Sequence, residues 1–410
     1  MNKVAIIGGG ASGLMAAGTA ASSGCEADLF EQNDRVGKKI LATGNGRCNI
    51  TNTGLSFSAY SGRHPGFAAY GLKEFGFEQF ERFCRSIGLL LDVKDDGRVY
   101  PLSNDARSVA AAFESFALDS GARIHTGHPV TDIKKSGGLF ELSSNEKQFK
   151  GYQKLLIATG SEAAPQLGGN DSGYRFAVNF GHGVEATYPS LVQLHVDSSF
   201  HHKMAGTKIN GETTLYLDRR SAAKAGGDIL FTSYGVSGFS ILDISQRASS
   251  ALKASGHVSI GLNLLPGFNG QSLAAQIARF AKDMPGRSIN TLLTGLITIK
   301  VAPHLLKDAG VDPDIKGGQI TPKIIRKIAH KLQDWRFEIT DTHGFKHAEV
   351  SGGGVGTAQI NEKTMESTLV SGLYFSGEVI DIVGKRGGYN LHFAWASGRL
   401  AGKGLAESQF

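Results

Sequence analysis

The segment TGNGRCNITN, residues 43–52, combines glycines with side chains that can do chemistry. Its arginine, Arg47, could neutralise an anion, and its thiol, Cys48, could act as a nucleophile if its pKa were lowered. The ordinary alternatives are a surface ion pair for Arg47 and a packing role for Cys48. Packing is favoured for Cys48 because neither Cys25 nor Cys84 is near it in sequence. The glycines and short polar side chains predict a ligand-binding loop.

A glycine motif just before this loop predicts a nucleotide site. Gly8, Gly10 and Gly13 form GxGxxG between the apolar run VAII and a helix of small residues. Gly8 makes the tight turn, Gly10 leaves room for a diphosphate, and Gly13 lets the helix pack closely on the strand. Ala11 and Ser12 lie in the first helical turn, whose free N–H groups attract an anion.

An acid at the end of the second predicted strand supports this interpretation. Glu31 closes EADLFE, 18 residues after Gly13, and Gln32 follows it. A carboxylate at this point accepts hydrogen bonds from ribose hydroxyls. Because an acid repels a 2′-phosphate, NADP is disfavoured here, whereas FAD and NAD both remain open.

Two later strands end in residues that can approach the same cofactor. The predicted strand KLLIATG closes on Ala158, Thr159 and Gly160, and a β-meander precedes it, as in the crossovers of FAD domains. The segment TDIKKSGGLFELSSNEKQFKGYQKLLI is interpreted as three strands. The last predicted strand, GLYFSGE, closes on Gly377 and Glu378, where an acid can bind the ribityl chain of FAD.

The final loop leads from a glycine pair into a helix. Gly387 and Gly388 precede a helix predicted from about Asn390, whose N-terminus can face the negative charge that develops on a reduced flavin. Tyr389 and Asn390 either orient substrate and flavin or simply form the loop. An earlier helix is predicted over residues 67–88.

Composition excludes several classes of function. The net charge of +6 and the pI of 9.0 mildly favour anionic partners, but no dense Lys/Arg run is present, so we expect no nucleic acid partner. Three cysteines without a CxxC pair argue against disulfides, zinc ribbons and dithiol centres, and the histidines lack metal-ligand spacing, so no metal is predicted. No signal peptide or membrane-length apolar run is evident, which indicates a cytoplasmic protein.

The predicted fold class is α/β: a discontinuous FAD-binding Rossmann domain of the glutathione-reductase type, with an inserted β-barrel-like domain and a small helical subdomain. The expected FAD domain covers residues 1–186 and 345–410, the β-rich domain 187–268 and 336–344, and the helical insert 269–335. Only one GxGxxG is present, so the chain has no second motif of this kind to bind NAD(P)H. Either NAD(P)H binds at another part of the chain, or the substrate itself is the electron donor.

Several stretches together resemble the HI0933-like flavoproteins of bacteria, the BaiN/RdsA-type, aminoacetone-oxidase-like proteins. They include GGGASGLMAA, GKKILATGNGRCNITN, ILFTSYGVSGFSIL, EVSGGGV and GLYFSGEVIDIVGKRGGYNLHFAWASG. His392 stands where a glutamine is common in the family. The resemblance implies FAD contacts at the glycines of GxGxxG with Ala11 and Ser12, at Glu31 and Gln32, and at the ends of the two later strands and the final loop, namely Ala158–Gly160, Gly377, Glu378 and Gly387–Asn390. It implies further contacts at Lys39, Gly44, Asn45, Gly46, Arg47, Cys48, Asn49, Val130, Asp381 and Leu391.

The resulting expectation is an FAD-dependent oxidoreductase that moves a hydride between non-covalent FAD and either a small organic substrate or NAD(P)H. The family is linked to oxidation of small amines and to reduction of unsaturated ring ketones. The alternatives are a flavin amine oxidase that makes hydrogen peroxide, an RNA-acting flavoprotein and a redox sensor. Ser233, Tyr234 and Ser237 are weighed as middle-domain contacts to the flavin or as parts of a turn. No catalytic residue is predicted, and substrate and oligomeric state stay open.

Overall fold

The computed structural model describes residues 2–407, which form two compact units. One unit runs up to Tyr188 and resumes at Val350, and the other is Pro189–Glu349. The three-part domain division expected from the sequence is finer than this and stays a prediction. No helix in the described part of the chain is long and apolar enough to cross a membrane.

The strands are numbered in chain order. They are β1 Lys3–Ile7, β2 Glu26–Phe30, β3 Thr51–Asn52, β4 Tyr60–Ser61, β5 Leu91–Val93, β6 Arg98–Pro101, β7 Arg123–His125, β8 Val130–Ser136, β9 Leu139–Ser144, β10 Lys147–Tyr152, β11 Lys154–Ile157, β12 Val184–Ser190, β13 Leu194–Asp197, β14 Lys208–Leu217, β15 Arg220–Phe231, β16 Gly235–Ser237, β17 Val258–Asn263, β18 Trp335–Thr342, β19 Val350–Val355, β20 Leu373–Phe375 and β21 Val383–Gly384.

The α-helices are numbered in the same way. They are α1 Ala11–Ser22, α2 Lys38–Ala42, α3 Ala68–Glu74, α4 Phe77–Ser86, α5 Ala106–Asp119, α6 Ser172–Asn179, α7 Phe239–Lys253, α8 Gly270–Asp283, α9 Ile289–Leu293, α10 Ala302–Asp308, α11 Pro322–Gln333 and α12 Tyr389–Ala406.

A five-stranded parallel sheet forms the centre of the first unit, with strand order β20-β11-β1-β2-β7. Its β1 residues Val4, Ala5 and Ile6 are fully buried, as expected for a parallel strand covered on both faces. The chain winds away from β1 in both directions, so a topological switch point lies between β1 and β11. Ligands of doubly wound sheets bind outside the carboxyl ends of the strands at this point.

The expected meander is present, but its third strand is two strands. β8, β9 and β10 pair antiparallel, while β11 joins the parallel sheet. Gly151, with φ +82°, lies at a register shift within β10, and the chain bends at Gln153 before β11 begins. The change of backbone direction therefore separates β10 from β11, which the hydrophobic pattern of the sequence does not distinguish.

The helix predicted over residues 67–88 is interrupted. α3 ends before Phe75, and α4 begins after Gly76, which has an extended backbone and serves as its N-cap. Glycine is a poor helix-interior residue, and the break follows from that preference. Phe75 is buried at the break and packs edge-on against Phe80.

The second unit contains a closed barrel with strand order β13-β16-β15-β14-β17-β18. Its core includes Phe231, Trp335 and Phe337, whose rings contact one another. The helices α7 to α11 belong to this unit, and apolar faces of α8 and α11 join the same core. The predicted fold class, a Rossmann-type α/β domain with a barrel and helical elements, is confirmed.

Candidate cofactor site

The glycine motif makes the turn from β1 into α1. Gly8 has φ +106°, and an ideal Cβ on it would lie 2.4 Å from the Ala158 carbonyl oxygen, so β1 and β11 approach closely here. A Cβ on Gly13 would lie 1.9 Å from the Gly8 carbonyl oxygen. Gly10, the N-cap of α1, faces open space, because a Cβ there would meet no atom within 4 Å. The start of α1, with Ala11 and Ser12 as its first residues, is therefore free to receive an anionic group.

Glu31 is tied to this glycine turn. Its Oε2 accepts a hydrogen bond from the Gly9 N–H at 2.8 Å, and its Oε1 accepts from the Asn33 N–H and the Asn33 side-chain amide. The residue is only 7% exposed. Three of the roughly four acceptor positions of the carboxylate are used by the chain itself, which leaves about one for a ribose hydroxyl. Glu31 thus fixes the turn in addition to the expected ligand contact.

Two further predicted residues border Glu31 from either side. Gln32 donates to the Gly168 carbonyl and accepts from Asn170, so its amide joins the end of β2 to the loop before α6. The His128 N–H donates to the Glu31 carbonyl oxygen, and Val130 begins β8 two residues later. Gln32 and the segment that leads to Val130 therefore both contact the end of β2 or the loop beside it.

The loop that follows α2 has an unusual backbone. Gly44, Asn45, Gly46 and Cys48 all have positive φ, between 55° and 81°. Asn45 and Cys48 carry side chains in a region that costs energy for residues other than glycine, and such strain is concentrated at functional sites. The loop is held in this form by hydrogen bonds such as that from the Cys48 N–H to the Thr43 carbonyl oxygen.

Arg47 and Cys48 have opposite environments. Arg47 is exposed, its guanidinium lies 5.3 Å from the centroid of the Tyr100 ring, and its Nε donates to the Gly44 carbonyl oxygen. Cys48 is fully buried, and burial raises its pKa to about 12. Its thiol is therefore neutral at physiological pH, which supports the packing role. Arg47 remains available to an anion.

The first loop and the last helix are joined although they lie at opposite ends of the sequence. The Thr51 hydroxyl lies 2.7 Å from His392 Nδ1, and the Trp395 indole donates to the Ile50 carbonyl oxygen at 3.1 Å. Asn52 Nδ2 donates to the Gly387 carbonyl oxygen at 2.9 Å. In the amide orientation that satisfies its neighbours, Asn49 Oδ1 accepts from the Gly388 N–H, and Asn49 Nδ2 donates to two carbonyls.

The geometry around His392 fixes its protonation. Its Nε2 lies 2.8 Å from the Phe75 carbonyl oxygen, which only accepts, so Nε2 carries the proton and Nδ1 accepts from Thr51. The side chain is fully buried, and burial lowers its pKa to about 4. His392 is therefore a neutral structural link, with both ring nitrogens paired.

The turn before α12 matches the predicted glycine-rich approach. Gly388 is the left-handed N-cap of α12, and an ideal Cβ on it would lie 2.3 Å from the Thr51 carbonyl oxygen. The Tyr389 hydroxyl donates towards Asn52 Oδ1, and the Asn390 amide pairs with the backbone N–H and carbonyl of Gly384. These contacts favour a loop-forming role for both side chains. Leu391 follows, half-buried in the first turn of α12.

The acids after β20 are engaged by the chain. Glu378 Oε2 lies 3.1 Å from Lys39 Nζ, and its Oε1 accepts from the Ser351 N–H at 2.9 Å. Asp381 is buried and accepts from the Arg63 N–H at 2.8 Å, while burial raises its pKa. Lys39 and Glu378 are each partly exposed, so both can exchange this ion pair for contacts to a bound molecule.

Buried hydroxyls without partners lie around the carboxyl ends of β11 and β20. The hydroxyl oxygens of Thr159 and Ser376 are inaccessible to solvent and form no hydrogen bond. Gly160 lies beside Thr159 with φ +77°, and a Cβ on it would come within 3.9 Å of Glu378 Oε2. Gly377, at φ +75°, packs against Ser12. Such unpaired buried groups are rare unless a ligand or water satisfies them, so these residues fit a polar cofactor.

The three residues weighed as middle-domain contacts to the flavin, Ser233, Tyr234 and Ser237, belong to the second unit. There the Tyr234 ring stacks on His343 at a centroid distance of 3.8 Å. No group of three metal-ligating side chains is found within residues 2–407. Sequence reasoning missed Asn33 and the partnership of Thr51 with His392, for which no motif exists.

A family model matches almost the whole chain. The model described as the HI0933-like protein Rossmann domain matches residues 2–404, nearly the whole chain. The predicted resemblance is thereby confirmed.

Curated relatives match over almost their entire lengths. A 3-dehydro-bile acid delta(4,6)-reductase of Clostridium scindens is 35% identical over 99% of this chain and 100% of its own. A ribosomal RNA dihydrouridine synthase of Haemophilus influenzae is 30% identical over 96% of this chain and 95% of its own.

A solved structure has the same fold. The 3-ketosteroid-delta4-(5alpha)-dehydrogenase of Rhodococcus jostii RHA1 superposes with a TM-score of 0.50 at 13% identity, covering 99% of this chain and 97% of that one. At this identity the similarity concerns the fold alone. The family match and the curated relatives show an FAD-dependent oxidoreductase.

Proposed function

Because the chain belongs to the HI0933-like family of FAD-dependent oxidoreductases, we propose that it reduces a carbon–carbon double bond conjugated to a carbonyl group. Two observations support the proposal: GxGxxG leaves open space at Gly10 at the carboxyl end of β1, and hydrogen bonds join the segment Asn49–Asn52 to the Gly387–Gly388 turn. Bound FAD supplies the hydride chemistry, and the protein supplies position and electrostatics.

The names of the two relatives share one chemistry. A delta(4,6)-reductase acting on a 3-oxo steroid saturates a bond conjugated to a ketone, and a dihydrouridine synthase saturates the ring bond conjugated to a uracil carbonyl. In such a reaction the β-carbon gains a hydride and the α-carbon gains a proton. NAD(P)H supplies the two electrons and leaves as NAD(P)⁺. We therefore favour reductase chemistry over amine oxidation.

The residues of the site have distinct parts in this proposal. The start of α1 and Lys39 hold the diphosphate, and Glu31 orients the turn and takes one ribose hydroxyl. Glu378 binds the polyol chain. The N-terminus of α12, held in place by the Thr51–His392 contact, would stabilise negative charge on a ring bound beside it. The Gly44–Asn49 loop, Val130, Ala158, Thr159, Gly160, Asp381 and Leu391 shape the remaining contacts.

Anaerobic mixing tests the reductase against the oxidase. The FAD-loaded protein is mixed with NADH or NADPH and, separately, with small primary amines, while the visible flavin absorbance is followed. The proposal expects bleaching by a reduced nicotinamide. Bleaching by amines alone would establish the oxidase instead, and a purified protein that takes up no FAD would overturn both.

The distribution of charge favours a second candidate function, in which the bond that is reduced lies in a uracil ring of an RNA substrate. The unit Pro189–Glu349 contains 19 lysines and arginines against 13 acids, which leaves 24 of each in the rest of the chain. The whole net charge of +6 therefore belongs to one unit. The expectation of no nucleic acid partner rests on the absence of a dense Lys/Arg run, and that criterion does not register charge spread over one unit.

The helix α11 concentrates this charge on one face. Lys323, Arg326 and Lys327 are exposed at spacings of three and four residues and form no ion pair with any described residue, and His330 continues the same stripe. Ile325 and Ile328 bury the opposite face. A cationic face without exposed apolar residues suits a phosphate backbone better than a lipid surface.

Charge reversal tests the RNA candidate. Replacing Lys323, Arg326 and Lys327 by glutamate should weaken binding of single-stranded RNA about tenfold or more and flatten its salt dependence. The matched control reverses the exposed Lys73, Arg82 and Lys147 of the neutral unit and should have a much smaller effect. Equal effects of both variants, or no RNA binding by the unmodified protein, would reject this candidate and leave a small enone as the substrate.

A further inference from the structure

Two exposed lysines of the second unit lie near the same histidine. Lys203 belongs to the short 3-10 helix His201–Met204, and Lys307 belongs to the last turn of α10. Burial, together with the charges of Lys203, Lys307 and His202, lowers the pKa of His304. The influence of these charges means that two ammonium groups and a second imidazole surround the His304 ring. We call these four residues the α10 patch.

The core of the unit holds the two elements of the patch together. The His304 ring stacks on Phe200 at a centroid distance of 6.1 Å and an interplanar angle of 6°, and Phe200 stacks in turn on the buried Trp335. Lys300 Nζ donates to the Ala205 carbonyl oxygen at 2.6 Å, which ties the segment before α10 to the end of the 3-10 helix. The backbone that carries the patch is therefore fixed by packing.

No acid among residues 2–407 forms an ion pair with the lysines of the patch. The acid that follows Lys307, Asp308, is already engaged, because its Oδ2 lies 2.6 Å from Lys331 Nζ and accepts from the Trp335 indole at 2.9 Å. Like charges that are held together without a counter-ion repel one another, and a bound anion relieves this repulsion. The α10 patch therefore has the electrostatics of an anion site.

The α10 patch adjoins the cationic stripe of α11. The Gly310 N–H donates to the Lys307 carbonyl oxygen at 2.9 Å, so Gly310 closes the turn after α10. An ideal Cβ on Gly310 would lie 3.2 Å from Lys327 Nζ, which shows that the Lys327 ammonium reaches the end of α10. Lys323 and Arg326 continue the positive charge along α11. The cationic surface thus extends from the 3-10 helix over α10 to α11.

We propose that the α10 patch binds backbone phosphates of a single-stranded RNA that continues along α11. The ligand class follows from the charge and from its extent. A polyanion with regularly repeated phosphates matches a cationic surface that runs over several elements, whereas a small anion would occupy only one part of it. The inference rests on the second candidate function, an RNA substrate, and it adds RNA-binding residues outside α11.

Neutralising the two lysines tests the proposal. The FAD-loaded full chain with Lys203→Gln and Lys307→Gln should bind a fluorescent oligouridylate about fivefold or more weakly at about 0.15 M salt. The slope of log Kd against the logarithm of the salt concentration should fall by about 1.4, because each phosphate contact to a single strand contributes about 0.7. Fluorescence anisotropy at several salt concentrations measures both quantities.

The matched control is Arg219→Gln with Arg220→Gln, which removes two exposed charges from the same unit. These arginines lie where β14 turns into β15, whereas the 3-10 helix precedes β14, so the 10 residues of β14 separate them from the patch. The control should change the Kd for oligouridylate by less than about twofold. Equal losses in both variants would indicate a response to net charge alone and would overturn the proposal, as would an unchanged Kd in the lysine variant.

Vesicles that contain phosphatidylglycerol are the competing probe. If the unmodified protein binds these vesicles through Lys203 and Lys307 but binds no oligouridylate, the patch is a lipid site and the proposal is wrong. Absence of oligouridylate binding by the unmodified protein rejects the RNA candidate together with the proposal. If charge reversal on α11 weakens RNA binding but neutralisation of Lys203 and Lys307 does not, only the role of the α10 patch is rejected. The two failures are therefore distinguishable.

Discussion

Thr51 and His392 form a buried hydrogen bond of 2.7 Å between residues 341 positions apart, and this contact fastens the first loop to the last helix. Thr51→Val keeps the shape of the side chain but leaves His392 Nδ1 unpaired. We expect it to lower the free energy of unfolding by about 1–3 kcal/mol and to weaken FAD binding. His392→Gln should be milder than His392→Leu, because an amide can still accept from Thr51 and donate to the Phe75 carbonyl. Equal losses in the two His392 variants would contradict this link.

The stability of the protein should depend on pH through His392. Its pKa is near 6.5 when unfolded and about 4 when folded, so between these values the unfolded chain binds more protons. This contribution is fully present above pH 6.5 and is lost as pH falls towards 4, to an extent of about 3 kcal/mol. Denaturant unfolding at pH 7 and pH 5 should show the loss. In His392→Gln the difference between the two pH values should shrink, and an unchanged difference would contradict the assignment.

Glu31 should matter to FAD binding through the turn as well as through ribose. Glu31→Ala leaves the buried Gly9 N–H without an acceptor and removes the proposed ligand contact. We therefore expect the Kd for FAD to rise by about tenfold or more. Asn33→Ala removes one partner of the carboxylate and leaves the Gly9 contact, so its effect on the Kd should be within about twofold. Titration of FAD into the stripped protein measures both. Unchanged affinity in Glu31→Ala would refute the role.

Alanine at Gly10 should impair FAD binding, whereas alanine at Gly13 should impair the stability of the protein. Gly13→Ala places a Cβ 1.9 Å from a backbone oxygen, so the FAD-free protein should lose stability or become insoluble. Gly10→Ala meets no atom, so the FAD-free Tm should be unchanged, while the Kd for FAD rises about tenfold or more because the methyl fills the diphosphate space. Thermal melts with and without FAD separate the two effects. An FAD affinity of Gly10→Ala equal to that of the unmodified protein would place the diphosphate elsewhere.

Cys48 should be chemically inert. Because its pKa is raised to about 12 and the side chain is fully buried, native protein at pH 8 should resist alkylation at Cys48. Mass spectrometry of the alkylated protein measures this, with urea-unfolded protein as the positive control. In Cys48→Ala the Kd for FAD and the turnover rate should each stay within about threefold of the values for the unmodified protein. Rapid alkylation of Cys48 in the folded protein would show that this thiol is reactive. Loss of turnover in Cys48→Ala with FAD still bound would show that it has a chemical role.

The glycine motif was predictable because spacing alone encodes the turn, the close approach and the helix packing. Glu31 was placed correctly at the end of β2, but its bond to Gly9 depends on a side-chain orientation that no pattern carries. The unpaired hydroxyl of Ser376 carries no sequence signal at all, since a hydroxyl is unpaired only in the context of its three-dimensional neighbours. The charge of the Pro189–Glu349 unit was present in the sequence but became visible only after the units were known.

The reaction of reduced flavin with a conjugated ketone tests the central claim most directly. The FAD-loaded protein is reduced anaerobically and mixed in a stopped-flow instrument with a ring enone, with the matching ring alkene that lacks the carbonyl as control. The account predicts that the enone restores the oxidised flavin absorbance and is recovered saturated, while the isolated alkene does neither. Rapid reoxidation by oxygen with no reaction towards any conjugated acceptor, including a uracil-containing RNA, would contradict it.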